Sequence, residues 1–280
     1  MNNRYISILF IQILAVALYF PAITTAAQPI HSPLKVPGTL GICYYTEFKP
    51  ISYGNAQGFE PDLLRAIAKL WQIRIKFYPE TTYEGIWRRP SDLHSPCDIA
   101  AGGMSPEAYR QQEGAAFSVI TASFKQSLLV RKKDYESGRI TSYQSFRHTQ
   151  MKIGVVPGTT GEQFAHLRAQ AEGLTAAVFK QYPSESELLP ALRNGNIDAI
   201  ARGEIGNEYQ SSLSPDLVTI AKKDFKEGFA LAVASGNKKL LLKLDHAIRE
   251  VTDNHKITYP VWLKNHDVFM QRVGQIRAAR

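Results

Sequence analysis

Apolar residues in the first half of the chain fall into short runs typical of strands and one longer run with helical spacing. Residues 40–43 form a short apolar run that predicts a buried strand, and residues 73–77 alternate between apolar and polar as a strand does. Between them, the apolar residues of segment 61–71 recur at helical spacing, and Pro61 suits the first turn of a helix. Residues 98–103 predict another short strand, which ends in two glycines.

The same order of elements returns after Met151. Gly173 is placed to end the helix predicted at 162–172. The two halves also share a signature, Asp98-Ile-Ala-Ala-Gly-Gly in one and Asp198-Ala-Ile-Ala-Arg-Gly in the other. The predicted elements are a strand at 152–156, a tight loop at 158–161, a helix at 162–172, a strand at 177–182, a helix at 186–194 and a strand at 198–202.

Strands that alternate with helices in this way predict an α/β fold with mostly parallel sheets flanked by helices. The final third contains an apolar strand at 228–235 and an amphipathic helix at 239–254. This segment fits a chain that returns to the lobe in which it began. We therefore predict two lobes joined by a two-crossover hinge, with crossovers at 127–133 and 226–230.

The predicted lobes divide the chain discontinuously. Lobe 1 comprises residues 36–130 plus 227–270, and lobe 2 comprises residues 131–226. Ligands of parallel sheets bind beyond the carboxyl ends of the strands. Two such lobes facing each other would bring both sets of strand ends to one cleft, which is the expected binding site.

The first residues have the layout of a signal peptide. Arg4 gives a short positive region, residues 5–20 form an apolar run shorter than a membrane span, and Pro21 ends it. Small residues at 25–27 offer a cleavage site. We therefore predict a signal peptide at residues 1–27 and a soluble protein exported to the periplasm, the alternative being a membrane anchor.

The net charge is +8 for the whole chain, and Arg4 is the only charged residue of the predicted leader, so the mature chain would keep +7. The lysines and arginines are scattered in pairs such as Lys132-Lys133 rather than set in one stripe, which is typical of a solvated basic surface. Export also removes the usual nucleic-acid partners, so we expect no nucleic acid to bind. The positive surplus favours anionic envelope surfaces or acidic partners through long-range steering.

Two cysteines, Cys43 and Cys97, are present. An oxidising compartment permits a disulfide between them. However, the predicted strands place Cys43 near the carboxyl end of one parallel strand and Cys97 at the start of another. Because those ends lie on opposite edges of a sheet, we expect two unpaired thiols. Neither cysteine has a zinc-binding spacing and the histidines form no metal-binding motif, so we expect no metal and no cofactor.

Polar and aromatic residues in loops at the predicted strand ends are the candidates for ligand binding. An amino-acid zwitterion needs an arginine, whose planar fork matches a carboxylate, and an acid for its ammonium. The loop at 158–161 precedes a helix whose free N–H groups favour an anion, although the alternative is an ordinary tight turn. The candidates are Phe48, Tyr83, Ser105, Arg110, Thr159, Thr160 and Glu204.

Further motifs follow one another in a fixed order over residues 38–265. They include Phe48-Lys-Pro-Ile-Ser-Tyr, Gly58-Phe-Glu-Pro-Asp-Leu, Ile153-Gly-Val-Val-Pro-Gly-Thr-Thr and Asn194-Gly-Asn-Ile-Asp-Ala. Their order and spacing resemble the type II periplasmic solute-binding proteins for polar amino acids, solute-binding family 3. The resemblance implies the two-lobed fold with its hinge.

The resemblance also implies roles for residues of the first lobe. Phe48 and Tyr83 match the aromatic residues that flank the ligand's side chain. Ser105 matches a hydroxyl residue that holds the ligand. Gly102 and Gly103 lie where backbone groups approach the ligand.

The charged ends of the ligand have counterparts as well. Arg110 matches the arginine that clamps the α-carboxylate, and Thr159 and Thr160 match the loop that closes on that carboxylate. The chain departs from the family at the ammonium-binding aspartate, because Gly203 stands at that position. Either Glu204 takes over the ammonium contact, or it is a solvated loop acid and the ligand lacks a standard α-amino group.

The function that the resemblance implies is a receptor without catalysis for a polar amino acid or a similar small carboxylate. Such a receptor would act as a monomer and hand its ligand to an inner-membrane ABC permease. Glu47, near the predicted mouth, either favours a cationic side chain or is a surface loop acid.

Two other functions stay open at this point. One is a cyclohexadienyl or arogenate dehydratase on the same scaffold. The position of the acid of those enzymes aligns with Gly206, from which Glu204 and Glu208 are both displaced. The other is a ligand-binding module for a membrane sensor, which the sequence hardly separates from transport.

Overall fold

Strands and helices alternate from residue 39 onward, as the sequence predicts. The structure, a computed structural model, describes residues 33–175, 178–222 and 226–276, so the predicted signal peptide at 1–27 lies outside the described residues. The strands are β1 (Thr39–Tyr45), β2 (Glu47–Phe48), β3 (Ser52–Tyr53), β4 (Arg74–Glu80), β5 (Ile99–Met104), β6 (Ala115–Phe117), β7 (Ala122–Arg131), β8 (Ile153–Val155), β9 (Phe179–Gln181), β10 (Ala199–Gly203), β11 (Leu217–Ile220) and β12 (Lys226–Ala234).

The helices pack on this framework through apolar stripes. In the best-defined example, α1, residues such as Leu63, Leu64 and Ile67 are completely buried. The helices are α1 (Phe59–Leu70), α2 (Ala108–Gln112), α3 (Lys132–Glu136), α4 (Thr160–Ala171), α5 (Glu185–Arg193), α6 (Glu204–Leu213), α7 (Lys238–Arg249), α8 (Tyr259–Lys264) and α9 (His266–Gln275). Short 3-10 turns at Ile86–Arg88 and Tyr143–Phe146 and a π-helical turn at Glu250–Asn254 complete them.

The main sheet is mixed, with parallel strands on both flanks and two antiparallel strands between them. Its order is β4-β1-β5-β12-β7-β10-β8-β9, with β6 beside β12 and β11 beside β7. Strand β1 is parallel to β4 and β5, and β8 is parallel to β9 and β10. We call β1, β4, β5 and β6 the first strand group, and β8, β9, β10 and β11 the second strand group.

The two long strands β7 and β12 connect these groups. Residues 122–125 of β7 pair with residues 226–229 of β12. Beyond that ladder, β7 continues against β10 and β11, whereas β12 continues against β5 and β6. Each long strand therefore passes from the shared ladder into a different group. The lobe boundaries at 36–130 plus 227–270 and at 131–226 stay a prediction.

The cysteines correct one expectation from the sequence. Cys43 and Cys97 form a disulfide, with Cα atoms 5.5 Å apart. The expectation of free thiols was wrong because β1 extends to Tyr45, so Cys43 lies inside the strand rather than at its end. In the β1–β5 register Cys43 lies opposite Ala100, and the loop that enters β5 passes so close over Gly41 that a side chain there would meet the backbone of Pro96. The loop thus brings Cys97 beside the middle of β1.

Among the helices of the described residues, none is both long enough and apolar enough to cross a bilayer.

Candidate functional site

A cavity lies where the carboxyl ends of strands from the two groups meet. Tyr45 ends β1, Gly103 lies near the end of β5, and Gly203 ends β10. Helix α4 adds its first residues. The lining consists of Tyr45, Phe48, Tyr83, Gly103, Phe124, Thr159, Thr160, Gly161, Glu185, Arg202, Gly203 and Phe229.

Five of the residues predicted from the sequence line this cavity together, namely Phe48, Tyr83, Gly103, Thr159 and Thr160. The Tyr83 hydroxyl donates to the carbonyl oxygen of Gly103 at 3.2 Å, and burial raises the pKa of Tyr83 to about 12. Gly103 has φ +69°, and a Cβ there would lie 2.6 Å from the Phe48 ring. Glycine is therefore required at 103, both by the backbone angle and by the ring that packs on it.

The two predicted aromatic residues contact other rings around the cavity. Phe48 lies edge-on to Phe229, with ring centroids 5.7 Å apart, and Tyr83 lies edge-on to Tyr45 at 5.3 Å. The prediction that Phe48 and Tyr83 sandwich a ligand stays a prediction.

Arg110 is completely buried beside the cavity wall. Its guanidinium donates to the carbonyl oxygen of Ser105 at 2.8 Å, to that of Gly158 at 2.6 Å and to the Tyr109 hydroxyl at 2.9 Å. It also stacks over Trp87, at 4.7 Å from the ring centroid. These bonds engage all three guanidinium nitrogens of Arg110, and Tyr83 is a further side-chain hydrogen-bond partner.

Glu60 fixes the backbone of Gly102 through hydrogen bonds. The Oε2 atom of Glu60 accepts the backbone N–H groups of Gly102 and Gly103, at 2.7 and 3.0 Å. Glu60 is fully buried, and this burial raises its pKa to about 7 although the two N–H groups oppose the shift. The end of β5, whose Gly103 lines the cavity, is therefore fixed by a buried carboxyl group.

A chain of polar side chains runs from Ser105 to the first turn of α4. The Ser105 hydroxyl donates to Glu227 Oε2 at 3.1 Å, and Gln126 Nε2 donates to Glu227 Oε1 at 2.9 Å. Gln126 Nε2 also donates to the Thr160 hydroxyl at 3.2 Å. The other amide atom, Gln126 Oε1, is buried and has no hydrogen-bond partner. Gln126 and Glu227 were not predicted from the sequence, because neither stands in a loop at a strand end.

The position of the family's ammonium-binding aspartate is filled by an aromatic ring. A Cβ on Gly203 would lie 2.9 Å from the ring of Phe124, which stacks on Phe229 with centroids 4.2 Å apart. Glu204, the first residue of α6, is not among the lining residues, and its Oε1 atom accepts the backbone N–H of Lys125 at 3.0 Å. The carboxylate of Glu204 is thus already engaged at the start of β7.

Glu47 lies outside the first cavity and lines a neighbouring one. That second cavity shares Glu185 and Arg202 with the first. Arg202 Nη1 donates to Glu185 Oε2 at 2.7 Å, and both side chains are nearly buried, so this ion pair forms the wall between the two spaces. The Tyr45 hydroxyl accepts the backbone N–H of Glu185 at 3.2 Å, which fixes the wall to the first strand group.

The acids considered for a dehydratase lie away from the cavity. Glu208 is exposed and pairs with Lys222. Gly206, at the aligned position, packs close to the Phe48 ring and the Arg202 guanidinium. Across the described residues, His, Cys, Asp and Glu side chains form no group of three or more that could hold a metal ion.

The family model of the bacterial extracellular solute-binding proteins, family 3, matches residues 40–259. The chain belongs to this family. The family and the fold class predicted from the sequence are thereby confirmed.

Individual relatives agree with this assignment. The chain is 25% identical over 233 residues to a probable histidine-binding protein of Neisseria gonorrhoeae, with 82% of each chain covered. Its fold is similar to that of an ancestral arginine-binding protein bound to arginine, with a TM-score of 0.67, 24% identity and coverage of 85% and 97%. It is also similar to an ABC uptake transporter substrate-binding protein of Streptococcus pneumoniae with bound histidine, with a TM-score of 0.66, 20% identity and coverage of 87% and 95%.

Proposed function

We propose that the chain is a periplasmic receptor that binds a free amino acid in the cavity and delivers it to an inner-membrane ABC permease. The observation that carries the proposal is the buried guanidinium of Arg110 beside the cavity wall, where it bonds to the carbonyl oxygens of Ser105 and Gly158. The amino-acid ligands named for the relatives support the same class of ligand.

The α-carboxylate of the ligand is assigned to Arg110 and to the start of α4. A planar guanidinium binds a carboxylate through two parallel hydrogen bonds. Thr160 and Gly161 open a helix of twelve residues, where backbone N–H groups lack partners within the helix and favour an anion. Thr160 and Gly161 both line the cavity, and Arg110 adjoins the same loop through its bond to the Gly158 carbonyl oxygen.

The α-ammonium is assigned to Glu227 and Gln126 rather than to Glu204. Gln126 lies directly opposite Gly203 in the β7–β10 register, so its side chain lies on the same face as the missing aspartate would. Its buried Oε1 atom is an acceptor without a partner, and the Glu227 carboxylate accepts from both the Ser105 hydroxyl and Gln126 Nε2. A buried acceptor without a donor is costly, and an ammonium group would satisfy it.

Delivery to a permease requires export and closure. The signal peptide predicted at residues 1–27 supplies the export. The expected hinge consists of the two crossings, and hinge closure around a ligand is a common switching motion. Because residues from both strand groups line the cavity, ligand binding and closure are thermodynamically linked.

A thermal-shift screen tests the proposal. Protein freed of bound ligand by unfolding and refolding is mixed with each of the twenty amino acids, and with prephenate and arogenate. A ligand at a hundred times its dissociation constant stabilises the folded state by about 2.7 kcal/mol, so at least one amino acid should raise the Tm clearly. If no amino acid raises the Tm, the proposal is wrong, and if prephenate or arogenate is consumed, the dehydratase alternative replaces it.

A further inference from the structure

Arg202 carries a hydrogen-bond donor that nothing in its surroundings uses. The side chain lines the cavity and is only 7% exposed. Its Nη1 atom donates to Glu185 at 2.7 Å, and its Nε atom donates to Asn207 Oδ1 at 3.0 Å. The Nη2 atom is buried without a partner. Because a buried donor left unsatisfied costs about 1–3 kcal/mol, its presence at a binding cavity indicates a site for an acceptor.

The surroundings of Arg202 are distinct from those of Arg110. Arg110 bonds to Ser105, Tyr109 and Gly158, whereas Arg202 bonds to residues of α5 and α6. The two arginines share no bonding partner. Arg202 lines the cavity whereas Arg110 is not among its lining residues, so the two guanidinium groups lie at different places around it.

The local charge decides which ligand groups fit beside Arg202. Glu185 already balances the guanidinium, so a neutral carbonyl oxygen can bind there as well as a carboxylate. Gly206 lies against both the Arg202 guanidinium and the Phe48 ring, and Phe48 and Gly203 line the cavity together with Arg202. A cationic side chain offers the Nη2 donor no acceptor, whereas a carbonyl or carboxylate oxygen does.

We infer that Arg202 Nη2 donates to a side-chain oxygen of the ligand, so the preferred ligands are amino acids with a side-chain carboxylate or carboxamide. This inference rests on the proposed function, because it assumes that Arg110 holds the α-carboxylate. It separates this receptor from the relatives whose names specify arginine or histidine.

Titration calorimetry with four probes tests the inference: L-glutamate, L-glutamine, L-leucine and L-arginine. The wild-type protein should bind glutamate or glutamine more tightly than leucine and arginine. Arg202→Gln should weaken the preferred ligand by about tenfold to a hundredfold, since a hydrogen bond from a charged donor is lost, and should leave leucine nearly unchanged. Arg272→Gln, which changes a half-buried arginine that does not line the cavity, should leave all four affinities unchanged.

A second variant guards against loss of the fold, because Arg202→Gln alone leaves Glu185 buried without its cation. In Arg202→Gln/Glu185→Gln two neutral side chains replace the ion pair and can still bond to each other. Circular dichroism confirms the fold of each variant, and the double variant should lose the same selectivity.

Two results would overturn the inference. If arginine binds most tightly to the wild type, or if both Arg202 variants weaken all four ligands equally, Arg202 has only a structural role. Failure of the proposed function looks different, because then none of the four amino acids binds the wild-type protein.

Discussion

Glu60 accepts hydrogen bonds from the backbone of Gly102 and Gly103 at the end of β5, and the pKa of its carboxyl group is raised. Burial raises its pKa from 4.5 to about 7 in the folded protein. In the unfolded chain the group is solvated and has its ordinary pKa. Between these two values the folded state keeps a proton that the unfolded state has released, so the stability contributed by Glu60 falls as pH rises.

We expect the free energy of unfolding to decline by up to about 3 kcal/mol, relative to a Glu60→Gln variant, as pH rises from 4.5 to 7. Glutamine keeps the acceptor for Gly102 and Gly103 but cannot ionise. Below pH 4.5 both states of the wild-type protein hold the proton, and well above pH 7 both have lost it, so the difference should be constant there. Urea unfolding of both proteins across pH 4 to 8 measures it. Parallel curves for the two proteins would show that Glu60 is ionised in the fold at pH values well below 7.

The proposed ammonium site makes a second expectation at the residue scale. Glu227→Gln should weaken the best amino-acid ligand by about tenfold or more, because a charge-assisted hydrogen bond becomes a neutral one. The same ligand without its α-amino group should bind the variant and the wild type equally. Calorimetry measures both, with exposed Glu136→Gln as the control. Equal losses for the ligands with and without the amino group would show that Glu227 does not contact the ammonium.

At the scale of elements, the disulfide links β1 to the loop that enters β5. The carboxyl ends of these two strands line the cavity. Cys43 lies in β1 and Cys97 precedes β5, with 54 residues of sequence separation between them. Closing a loop of that size reduces the conformational freedom of the unfolded chain. The pair should therefore contribute to stability rather than to ligand binding.

Cys43→Ala/Cys97→Ala should lower the free energy of unfolding by about 2–4 kcal/mol while the ligand affinity of the folded protein changes little. Urea unfolding with and without a reducing agent measures the effect. The reductant should destabilise the wild-type protein to a similar extent and leave the double variant unchanged. An unchanged unfolding midpoint in the double variant would contradict a stabilising disulfide.

The alternation of strand and helix was predictable because the buried elements have clear periodicities. Strand β7 shows where such reasoning fails. Only its end, from Ser127, was recognised as a crossing, because its first residues mix polar and apolar side chains, while residues 126–130 are all buried in the sheet. Helix α6 was missed for a similar reason, since its sequence is largely polar and only Ile205, Gly206 and Asn207 are buried.

The site was predictable where it depends on strand ends and on the family resemblance. Phe48, Tyr83, Thr159 and Thr160 follow from those two arguments. Other lining residues become apparent only when separate elements pack together, as when Phe124 fills the space above Gly203. No local pattern distinguishes Glu185 and Arg202, which become partners across 17 positions of the chain.

At the scale of the whole molecule, hydrogen bonds join the two strand groups around the cavity. Arg110 and the Tyr109 hydroxyl both donate to the carbonyl oxygen of Gly158, and Tyr45 bonds to the backbone of Glu185. These contacts hold the residues around the cavity in one arrangement. A ligand that binds between them would favour the same arrangement.

We expect the best amino-acid ligand to lower the radius of gyration measured by small-angle X-ray scattering. The reason is that the predicted hinge at 127–133 and 226–230 allows the ligand-free protein to open. An amino acid that gives no thermal shift serves as the control and should leave the scattering curve unchanged. Identical radii with and without the best ligand would contradict hinge closure.

The central claim is that Arg110 anchors the carboxylate of an amino acid, and titration calorimetry on Arg110 variants tests it most directly. Arg110→Ala should cost about 2–5 kcal/mol of binding free energy, and Arg110→Lys should also bind weakly because an ammonium cannot make the planar two-bond contact. Arg88→Ala, a change at an exposed arginine nearby, should leave affinity unchanged.

Circular dichroism first confirms the fold of both Arg110 variants. A ligand analogue without its carboxylate separates binding from folding, because it should bind the Arg110 variants as well as it binds the wild-type protein. We expect the Arg110 variants to lose affinity only for the ligand that carries the carboxylate. A loss below about tenfold for Arg110→Ala, equivalent to about 1.4 kcal/mol, would contradict the account and place the carboxylate anchor elsewhere.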